Sequence, residues 1–499
     1  MDWKGKRPRA SADLVRALGN WSEEGQGPTY ARLAAGLAAA IRRGEVGPGE
    51  RLPAERVLAR LLAVSRTTIV GAYERLRQEE WIESRQGSGT RVRSGGSVAS
   101  GGEAPPAAGA GSFRRHPVYR SLIEGSAGTI EFLGAHLSGA EFLVPELARI
   151  DRPALTELAR TPGYLPMGLP ALRRAIAAHL ARCGLPTSEE QVLVTNGAQQ
   201  AVALAGALLL RRGDAVALEN PTYLGAIDIF TNLGARLIPA GVGREGVRVE
   251  TLRELAGRAA PRLIYLMPTF QNPTGALMPE RQRRAVARLG RELKVPLIED
   301  NTLADLWIDA PPPPPLAAFE PEAVILTIGS LSKLFWGGLR VGWIRASEEI
   351  LSRLAKLKIM ADLGGSLLSQ LAAVRLLVKT ERFRQMRRRE VRERLGCLTA
   401  LLERHLPEWT WTPPAGGLSL WVQLPRGDAG EFAQVALRHG VSVVPGPLTS
   451  PDGSFPDHLR LPFVLGKAEM REGIERLARA WNFYAAKASR KRTSLDVLV

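Results

Sequence analysis

Cysteine is scarce in this sequence, since only Cys183 and Cys397 occur among its 499 residues. Two cysteines do not make a disulfide framework or a metal-ligand cluster, and their small number is typical of a reducing compartment. The histidines His136, His179 and His405 are isolated along the chain and are expected to be solvated or to lie at the edge of a core. The sequence therefore predicts no metal site.

Long apolar runs are also absent. No segment approaches the roughly 20 apolar residues that a membrane-spanning helix needs, and the N-terminal stretch MDWKGKRPRASADL lacks the apolar core of a secretory signal. We therefore expect a cytoplasmic protein with no membrane partner. At about 150 residues per domain, a chain of 499 residues is expected to form two to four domains.

Acidic residues are outnumbered, because 50 Asp and Glu against 67 Lys and Arg give a formal net charge of +17. Residues 1–93 hold 17 basic and 11 acidic side chains, and the remaining 406 residues hold 50 and 39. The net positive charge per residue is thus more than twice as dense at the N-terminus. This distribution indicates a polyanion partner for the N-terminal segment.

The N-terminal segment has the pattern of three helices and a hairpin. Residues 29–43 place apolar side chains at steps of four, which predicts an amphipathic helix. Pro53 is well placed at the first position of a second helix, PAERVLARLLA, and Ser65 is a suitable cap for a third helix that runs to about Trp81. WIESRQGSGTRVR then alternates around QGSG, as expected of a small β-hairpin. Together these elements predict a winged helix-turn-helix unit, assigned to residues 1–93.

In such a unit the second helix of the pair lies in the major groove, with its first residues at base edges and phosphates. Arg66 can bond a guanine edge bidentately, and hydroxyls and helix N-terminal amides suit phosphate. The predicted DNA-contacting residues are Arg56, Ser65, Arg66, Thr67, Thr68 and the wing-tip glycine Gly87. Taken alone, the tetrapeptide SRTT is better explained as a capped helix start.

The surrounding sequence favours the DNA-binding interpretation. Residues 29–93, which include RLPAERVLARLLAVSRTTIVGAYERLRQEEWIESRQGSGTRV, closely resemble the winged-helix domain of the GntR family of bacterial repressors. The resemblance implies DNA contacts for the same residues except Ser65. Val70 stands where some relatives have a second arginine in the recognition helix, so the base preference is expected to differ.

The rest of the chain changes in composition. Residues 94–117 are rich in Gly, Ala, Ser and Pro, as expected of a flexible tether with an r.m.s. reach of about 25–30 Å. Short apolar runs then alternate with helical patterns over residues 118–485, which predicts an α/β fold with a largely parallel sheet and a smaller α+β part from about residue 370. The five prolines at 311–315 are interpreted as a surface loop, and residues 486–499 as a short basic tail.

Lys333 lies between Ser332 and an apolar segment in GSLSK. An isolated SxSK pattern is better explained by an ordinary surface lysine. Three further segments, however, end apolar runs: NPTG with Asn272, VPLIED with Asp300, and the turn TNGAQQA. Ligands of α/β proteins bind at the carboxyl ends of parallel strands, and amides at a helix start bind anions. Together the four segments predict a site for pyridoxal phosphate, where a lysine forms an imine and a carboxylate keeps the ring nitrogen protonated.

Each side chain has an expected role in this site. Lys333 and Asp300 are the candidate catalytic residues, Asn272 donates to the phenolic oxygen of the cofactor, and Tyr223 lies against the ring face. The expected phosphate-binding groups are the side chains of Ser330, Ser332 and Arg340 and the amides of Ala198 and Gln199.

From about residue 120 to 485 the chain resembles the fold type I aminotransferases, also through YLPMGLPALRRAI and HLRLPF. The resemblance implies that Tyr164 reaches the phosphate across a dimer interface. It also implies that Arg460, whose planar fork suits a carboxylate, binds the α-carboxylate of a substrate. Thr302 stands where many relatives have a tyrosine that donates to the phenolic oxygen. Gly225 stands where the GABA-responsive regulator has an arginine. This difference argues against GABA as the effector.

The order of GntR-like reader, linker and aminotransferase-like domain resembles the MocR/GabR regulators. The resemblance implies a homodimer that binds double-stranded DNA and senses an amino acid, an amine or the vitamer through pyridoxal 5'-phosphate. The alternative is a genuine aminotransferase with a secondary DNA-binding head, because Lys333 and Asp300 are both present, although Thr302 favours sensing. A third interpretation, an enzyme with a degenerate head, predicts no salt-dependent binding to DNA upstream of its own gene.

Overall fold

The computed structural model describes residues 27–42, 45–47, 49–85, 89–93, 128–150 and 152–496, together with Leu14, Leu18, Trp21 and Ser121. The described helices are α1 Thr29–Arg42, α2 Glu55–Leu61, α3 Arg66–Gln78, α4 Ala140–Leu147, α5 Arg152–Ala159, α6 Pro170–Arg182, α7 Ala198–Leu209, α8 Leu224–Asn232, α9 Val249–Ala259, α10 Glu280–Leu293, α11 Glu348–Asp362, α12 Leu367–Val378, α13 Thr380–His405, α14 Ala429–Arg438 and α15 Lys467–Asp496. The strands are β1 Ile82–Arg85, β2 Gly89–Val92, β3 Ile130–Phe132, β4 Val192–Thr195, β5 Ala215–Asn220, β6 Arg236–Gly243, β7 Gly246–Val247, β8 Leu263–Leu266, β9 Leu297–Asp300, β10 Ile325–Ser330, β11 Gly342–Arg345, β12 Thr410–Trp411, β13 Ser419–Gln423, β14 Val441–Pro445 and β15 His458–Pro462.

The chain divides into two compact units. The first, called here the winged-helix unit, comprises residues 1–133, 424–445 and 471–499. The second, called here the sheet unit, comprises residues 134–423 and 446–470. The linker predicted at 94–117 lies outside the described residues.

Helices α1 to α3 and the antiparallel pair β1–β2 confirm the predicted winged helix-turn-helix. Leu33, Leu37 and Ile69 are completely buried in its core. Ser65 caps α3 as expected, since its Oγ accepts a hydrogen bond from the Thr68 amide at 3.1 Å.

Two predicted boundaries of the winged helix differ from the structure. Helix α2 begins at Glu55 with Ala54 as its cap, so Pro53 precedes the cap and does not occupy the first helical position. Helix α3 ends at Gln78 and does not reach Trp81, because Glu80 adopts a left-handed conformation with φ +61°.

The winged-helix unit also contains α14, the parallel pair β3–β14 and the part of α15 from residue 471. Arg438, the last residue of α14, donates through Nη1 to the Leu62 carbonyl at 3.0 Å and through Nη2 to the Ala63 carbonyl at 3.4 Å. Both carbonyls belong to the turn between α2 and α3. The arginine therefore holds the helix-turn-helix at its turn. Helix α15 runs through the predicted tail as far as Asp496.

The sheet unit is built on an eight-stranded sheet of order β4-β11-β10-β9-β8-β5-β6-β7 within the described residues. The pairs β10–β9, β9–β8, β8–β5 and β5–β6 are parallel, while β11 runs antiparallel to β4 and β10. Every residue of β5, β8, β9 and β10 is buried, as parallel strands covered on both faces require. The predicted, largely parallel sheet is confirmed.

The smaller α+β part expected from about residue 370 stays a prediction, since the two units divide the chain at other positions. Helix α12 packs on α6 in the core of the sheet unit, where Leu172, Ile176, Leu376 and Leu377 belong to one hydrophobic cluster. The chain instead changes unit after Gln423, after Pro445 and after Met470. The described part of the chain contains no helix long and apolar enough to cross a membrane.

Candidate functional site

The carboxyl ends of β10 and β4, with the start of the antiparallel β11 between them, place the predicted phosphate-binding segments side by side. Ser330 at the end of β10 pairs with Gly342 of β11, and Gly342 pairs with Thr195 at the end of β4. The Ser330 hydroxyl is 3.0 Å from that of Ser332 and donates to the Val341 carbonyl at 3.2 Å. The sequence-predicted serines therefore lie beside the turn that leads into α7.

That turn forms a cradle of backbone amides. Gly197 precedes α7 with φ +83°, a conformation that favours glycine. A Cβ on Gly342 would lie 2.7 Å from the Gly197 carbonyl carbon and 2.9 Å from the Ala198 nitrogen, so only glycine fits there. Arg340 donates through Nη2 to the Asn196 carbonyl at 2.8 Å, which brings its cation to the start of the helix. The free amides of a first helical turn and a guanidinium suit a phosphate.

Lys333 follows β10 by three residues. Its Nζ donates to the Ala135 carbonyl at 2.7 Å. Burial and the Arg460 cation lower the pKa of Lys333 to about 8, against the opposing effect of the Asp300 carboxylate. The amine is therefore uncharged in a useful fraction of molecules near neutral pH, as a nucleophilic lysine must be.

Asp300 ends β9 with 2% of its surface exposed. Its Oδ2 accepts a hydrogen bond from the Tyr265 hydroxyl at 2.8 Å, and its Oδ1 accepts one from the Thr302 amide at 3.0 Å. Burial, reinforced by the Asp300 charge, raises the pKa of Tyr265 well above its ordinary value, so the phenol stays a donor. Sequence reasoning missed Tyr265, although a tyrosine inside the buried run LIYL requires a partner for its hydroxyl.

Tyr223 precedes α8 and donates to Gln199 Oε1 at 2.7 Å. Burial and the Asp300 carboxylate raise the pKa of Tyr223 to about 12. A Cβ on Gly225 would lie 2.6 Å from both the Gln199 side-chain oxygen and the Tyr223 ring. The position therefore has no room for a larger side chain while the Tyr223–Gln199 pair is in place.

Arg460 lies on β15 with 4% exposure, and its Nε donates to Ser419 Oγ at 3.0 Å. Burial lowers its pKa to about 10, and the electrostatic coupling of Arg460 with Tyr223 and Lys333 places it in the same cluster. Its Nη atoms make no hydrogen bond within the described residues. A buried guanidinium whose two Nη groups have no partner among the described residues is suited to a carboxylate.

Two predicted site residues, Asn272 and Tyr164, make no side-chain hydrogen bond to this cluster among the described residues, and Thr302 joins it through its backbone amide alone. Asn272 follows β8 and is half-buried, and its side-chain amide makes no hydrogen bond among the described residues. Tyr164 is 66% exposed, as a side chain offered to a second subunit would be. The Thr302 hydroxyl is buried without a hydrogen-bond partner in the described part of the chain, and such a group is costly unless a ligand or water satisfies it.

The predicted DNA-binding residues form a separate, exposed group at the start of α3. The Ser65 hydroxyl is 2.7 Å from that of Thr67 and 2.8 Å from that of Thr68. Arg66 is paired with Glu55 of α2, with Nη2 and Oε2 3.1 Å apart. Arg56 is exposed on the same helix as Glu55, and Gly87 lies outside the described residues.

We expect Glu55→Gln to increase DNA affinity roughly 2- to 10-fold at low salt, because it removes a negative charge and frees the Arg66 guanidinium. Fluorescence anisotropy with labelled duplex would measure the change. Glu79→Gln is the matched control, since Glu79 pairs with Arg75 at the other end of α3 at 2.8 Å. Weaker binding in Glu55→Gln would instead mean that the carboxylate orients Arg66 for DNA.

Comparison with known proteins gives two family matches. The model of aminotransferase class I and II matches residues 144–477, and that of bacterial regulatory proteins, gntR family, matches residues 29–92. The HTH-type transcriptional regulator YisV of Bacillus subtilis is 31% identical over 478 residues, which cover 92% of this chain and 98% of that protein. The probable rhizopine catabolism regulatory protein MocR of Rhizobium meliloti is 29% identical over 77% of this chain and 78% of its own.

Solved structures agree with the family match of the larger domain. The α-aminoadipate aminotransferase LysN from Thermus thermophilus, complexed with N-(5'-phosphopyridoxyl)-L-leucine, is similar with a TM-score of 0.67 and 32% identity. The match covers 74% of this chain and 95% of LysN. The strand order and the buried cluster described above thus occur on the fold of pyridoxal-phosphate aminotransferases.

Proposed function

Since the chain is a MocR/GabR-type transcriptional regulator, in which a gntR-family DNA-binding domain is fused to an aminotransferase class I and II domain, we propose that it senses a small amino compound through pyridoxal 5'-phosphate. The observation that carries this proposal is the buried Lys333 of lowered pKa in one cluster with Asp300 and Arg460. A lysine with a purely structural role would not need to lie buried in one cluster with Asp300 and Arg460.

The residues present fit the cofactor. The amides of Ala198 and Gln199, the Arg340 cation and the hydroxyls of Ser330 and Ser332 would hold its phosphate, in a cradle that the glycine at 342 keeps open. The orphaned Thr302 hydroxyl provides a further polar group that a ligand can satisfy. When bound, the cofactor supplies an aldehyde that reacts with amines and a ring that withdraws electrons.

The side chains around the cofactor would each contribute a separate effect. Asp300, fixed by Tyr265 and by the Thr302 amide, would keep the ring nitrogen protonated. Lys333 would hold the cofactor covalently and exchange with the amine of an incoming compound. Asn272 would donate to the phenolic oxygen, and Tyr223 would lie against the ring. An amino compound can shift DNA binding only if the two DNA-competent states bind it with different affinity.

The pH dependence of cofactor loading follows from the lowered pKa of Lys333. We expect the rate of covalent loading of cofactor-free protein to rise with pH up to about 8 and then to level off, because the uncharged amine is the nucleophile. Stopped-flow absorbance across this pH range would measure it. Arg460→Gln removes a nearby cation and should move the plateau to higher pH. A loading rate that still rises steadily as the pH approaches the ordinary pKa of lysine would contradict the proposed role of Lys333.

Arg460 is proposed to bind the carboxylate of the effector. We expect Arg460→Ala to weaken the response to carboxylate-bearing amino compounds roughly 10- to 100-fold, the usual effect of removing one partner of a buried charge pair. The effector concentration that half-shifts binding to DNA upstream of the protein's own gene would measure it, with amines that lack a carboxylate as the matched control. Loss of the cofactor in this variant would contradict the proposal that Arg460 binds the carboxylate of the effector.

The homodimer and the cellular location belong to the same proposal. Tyr164 is exposed in the single chain and would complete the phosphate site of a second copy. Pairing of two chains raises the effective concentration of the second DNA-binding head. We propose a cytoplasmic location, because a regulator whose partner is double-stranded DNA acts where that DNA is.

Transamination is the second candidate function, favoured by the presence of both Lys333 and Asp300 and by the likeness to LysN. Turnover measured with a panel of amino donors and 2-oxo acids would separate the two. Rates of about 1–1000 per second, ordinary for enzymes, would exclude pure sensing. Thr302 is shorter than the tyrosine that many relatives have at this position, so its hydroxyl reaches less far. This difference favours slow turnover.

A further inference from the structure

One arginine of α13 is buried against the loop that follows Lys333. Arg387 is 2% exposed, whereas Arg389 on the same helix is exposed. The Arg387 guanidinium donates through Nε to the Leu334 carbonyl and through Nη2 to the Phe335 carbonyl, both at 2.8 Å. It therefore holds the two peptide groups that come directly after the lysine.

The same guanidinium holds a second segment, residues 134–139, which we call the entry segment because the chain enters the sheet unit at residue 134. Arg387 Nη2 also donates to the Ser138 carbonyl at 2.6 Å. The entry segment belongs to no helix or strand of the described structure, so side chains must fix its place. Three residues before Ser138, the Ala135 carbonyl accepts the hydrogen bond from Lys333 Nζ at 2.7 Å.

These hydrogen bonds form a closed ring around the Lys333 amine. The ring runs from Lys333 Nζ to the Ala135 carbonyl, along the backbone to Ser138, through the Arg387 guanidinium to the Leu334 carbonyl, and back to Lys333. The amine and its acceptor thus belong to two segments that one side chain joins. Without the guanidinium, only the hydrogen bond of the amine itself would close this ring.

Helix α13 fixes the guanidinium from behind. Phe383 lies one helical turn before Arg387, is 2% exposed, and meets the Phe335 ring edge to face with centroids 5.2 Å apart. Arg387 Nη1 donates to the carboxylate of Glu390 on the same helix. A buried charge that loses its partners is costly, so the guanidinium stays where the helix places it. An arginine is required here, because its planar fork donates in several fixed directions at once.

We propose that Arg387 is a positioning residue for Lys333, an inference that rests on the proposed function. By joining the entry segment to the loop after Lys333, Arg387 presents the Ala135 carbonyl to one N–H of the uncharged amine. This hydrogen bond limits the rotation of the amine and so fixes the direction of its lone pair. A nucleophile that is oriented before its target arrives reacts faster.

The Ala135 carbonyl also has a role when the lysine is displaced. When Lys333 attacks the aldehyde, its nitrogen forms a C=N bond, and the aldehyde oxygen leaves as water with the two hydrogens of the amine. The hydrogen bond to Ala135 is therefore lost on loading. When an amino compound takes over the C=N bond, its two hydrogens pass to the Lys333 nitrogen. The carbonyl that Arg387 keeps in place then receives the released amine.

Two measurements on full-length, cofactor-free protein separate positioning from a purely structural role. Stopped-flow absorbance gives the rate of covalent loading with pyridoxal 5'-phosphate, and equilibrium dialysis gives the affinity for pyridoxamine 5'-phosphate, which has the ring and phosphate but no aldehyde. Arg387→Gln should slow loading roughly 10- to 100-fold and leave the affinity for pyridoxamine 5'-phosphate unchanged. Arg387→Lys keeps the charge beside Glu390 but cannot reach three carbonyls with one nitrogen, so it should load at least about fivefold more slowly.

Arg388→Gln is the matched control. Arg388 is the next residue of α13 and also donates to two backbone carbonyls, those of Ile308 and Asp309, but their loop carries no residue of the proposed site. It should load at the unaltered rate. The inference is overturned if both Arg387 variants load normally, if they lose loading and pyridoxamine 5'-phosphate affinity together, or if Arg388→Gln is equally slow. Failure of the unaltered protein to load would refute the proposed function and this inference with it, whereas the ratio of variant to unaltered rate tests Arg387 alone.

Discussion

Replacement of Lys333 by alanine is expected to abolish covalent retention of pyridoxal 5'-phosphate completely. The Lys333 amine has a pKa of about 8 because it is buried beside a cation, and no other group of the described cluster is an amine. The measurement is intact mass after borohydride reduction of cofactor-treated protein, together with the visible absorbance of the bound cofactor. Response of DNA binding to amino compounds should disappear in the same variant.

Lys356→Ala is the matched control, since Lys356 is an exposed lysine of α11 in the same unit and should leave cofactor retention unchanged. A second variant, Lys333→Arg, keeps the charge and removes the reactive amine, so it should behave as the alanine variant does. Cofactor mass that persists on Lys333→Ala would refute the assignment of this lysine. Unaltered DNA binding by the unliganded variant would show that the protein remains folded.

The second large effect is expected in the DNA-binding head. Arg66→Ala should weaken binding to the specific operator by roughly 1–3 kcal/mol, or about 5- to 150-fold, if its fork reads a guanine edge. Arg66 is 58% exposed at the start of the recognition helix and can turn from Glu55 towards DNA. Competitive binding assays with operator and random duplex at fixed salt would measure specificity directly.

Arg75→Ala is the matched control for this prediction. Arg75 lies on the same helix and is paired with Glu79 much as Arg66 is paired with Glu55, but it follows the cap residue by ten positions. It should change binding to both duplexes slightly and equally. Equal losses on operator and random DNA in Arg66→Ala would show that Arg66 contacts only phosphate.

The fold was predictable where the local pattern is strong. Continuous apolar runs identified β4, β5, β8, β9 and β10, because buried parallel strands need no polar face. The antiparallel β11 was not identified, since its short run GWIR depends on pairing with β4 and β10 for its place. The packing of α12 on α6 was not predictable for a related reason, since it is a contact between segments almost 200 residues apart.

The candidate site was predictable to the extent that its residues end strands. Lys333, Asp300 and the turn before Ala198 each follow an apolar run, and parallel strands bring such ends together. The partners of those residues were not predictable. Tyr265 lies within a strand, and the Ala135 carbonyl that holds Lys333 belongs to a segment with no motif.

The contact between Arg438 and the turn of the helix-turn-helix has a consequence for operators. Arg438 engages the Leu62 and Ala63 carbonyls, while Ser65, Arg66 and Thr67 remain exposed, so a head held in this way can still meet a groove. Whenever α14 moves, the reading helix of the same unit would therefore move with it for as long as these two hydrogen bonds persist. An operator that requires the reading helix to shift relative to α14 could be bound only after both hydrogen bonds break.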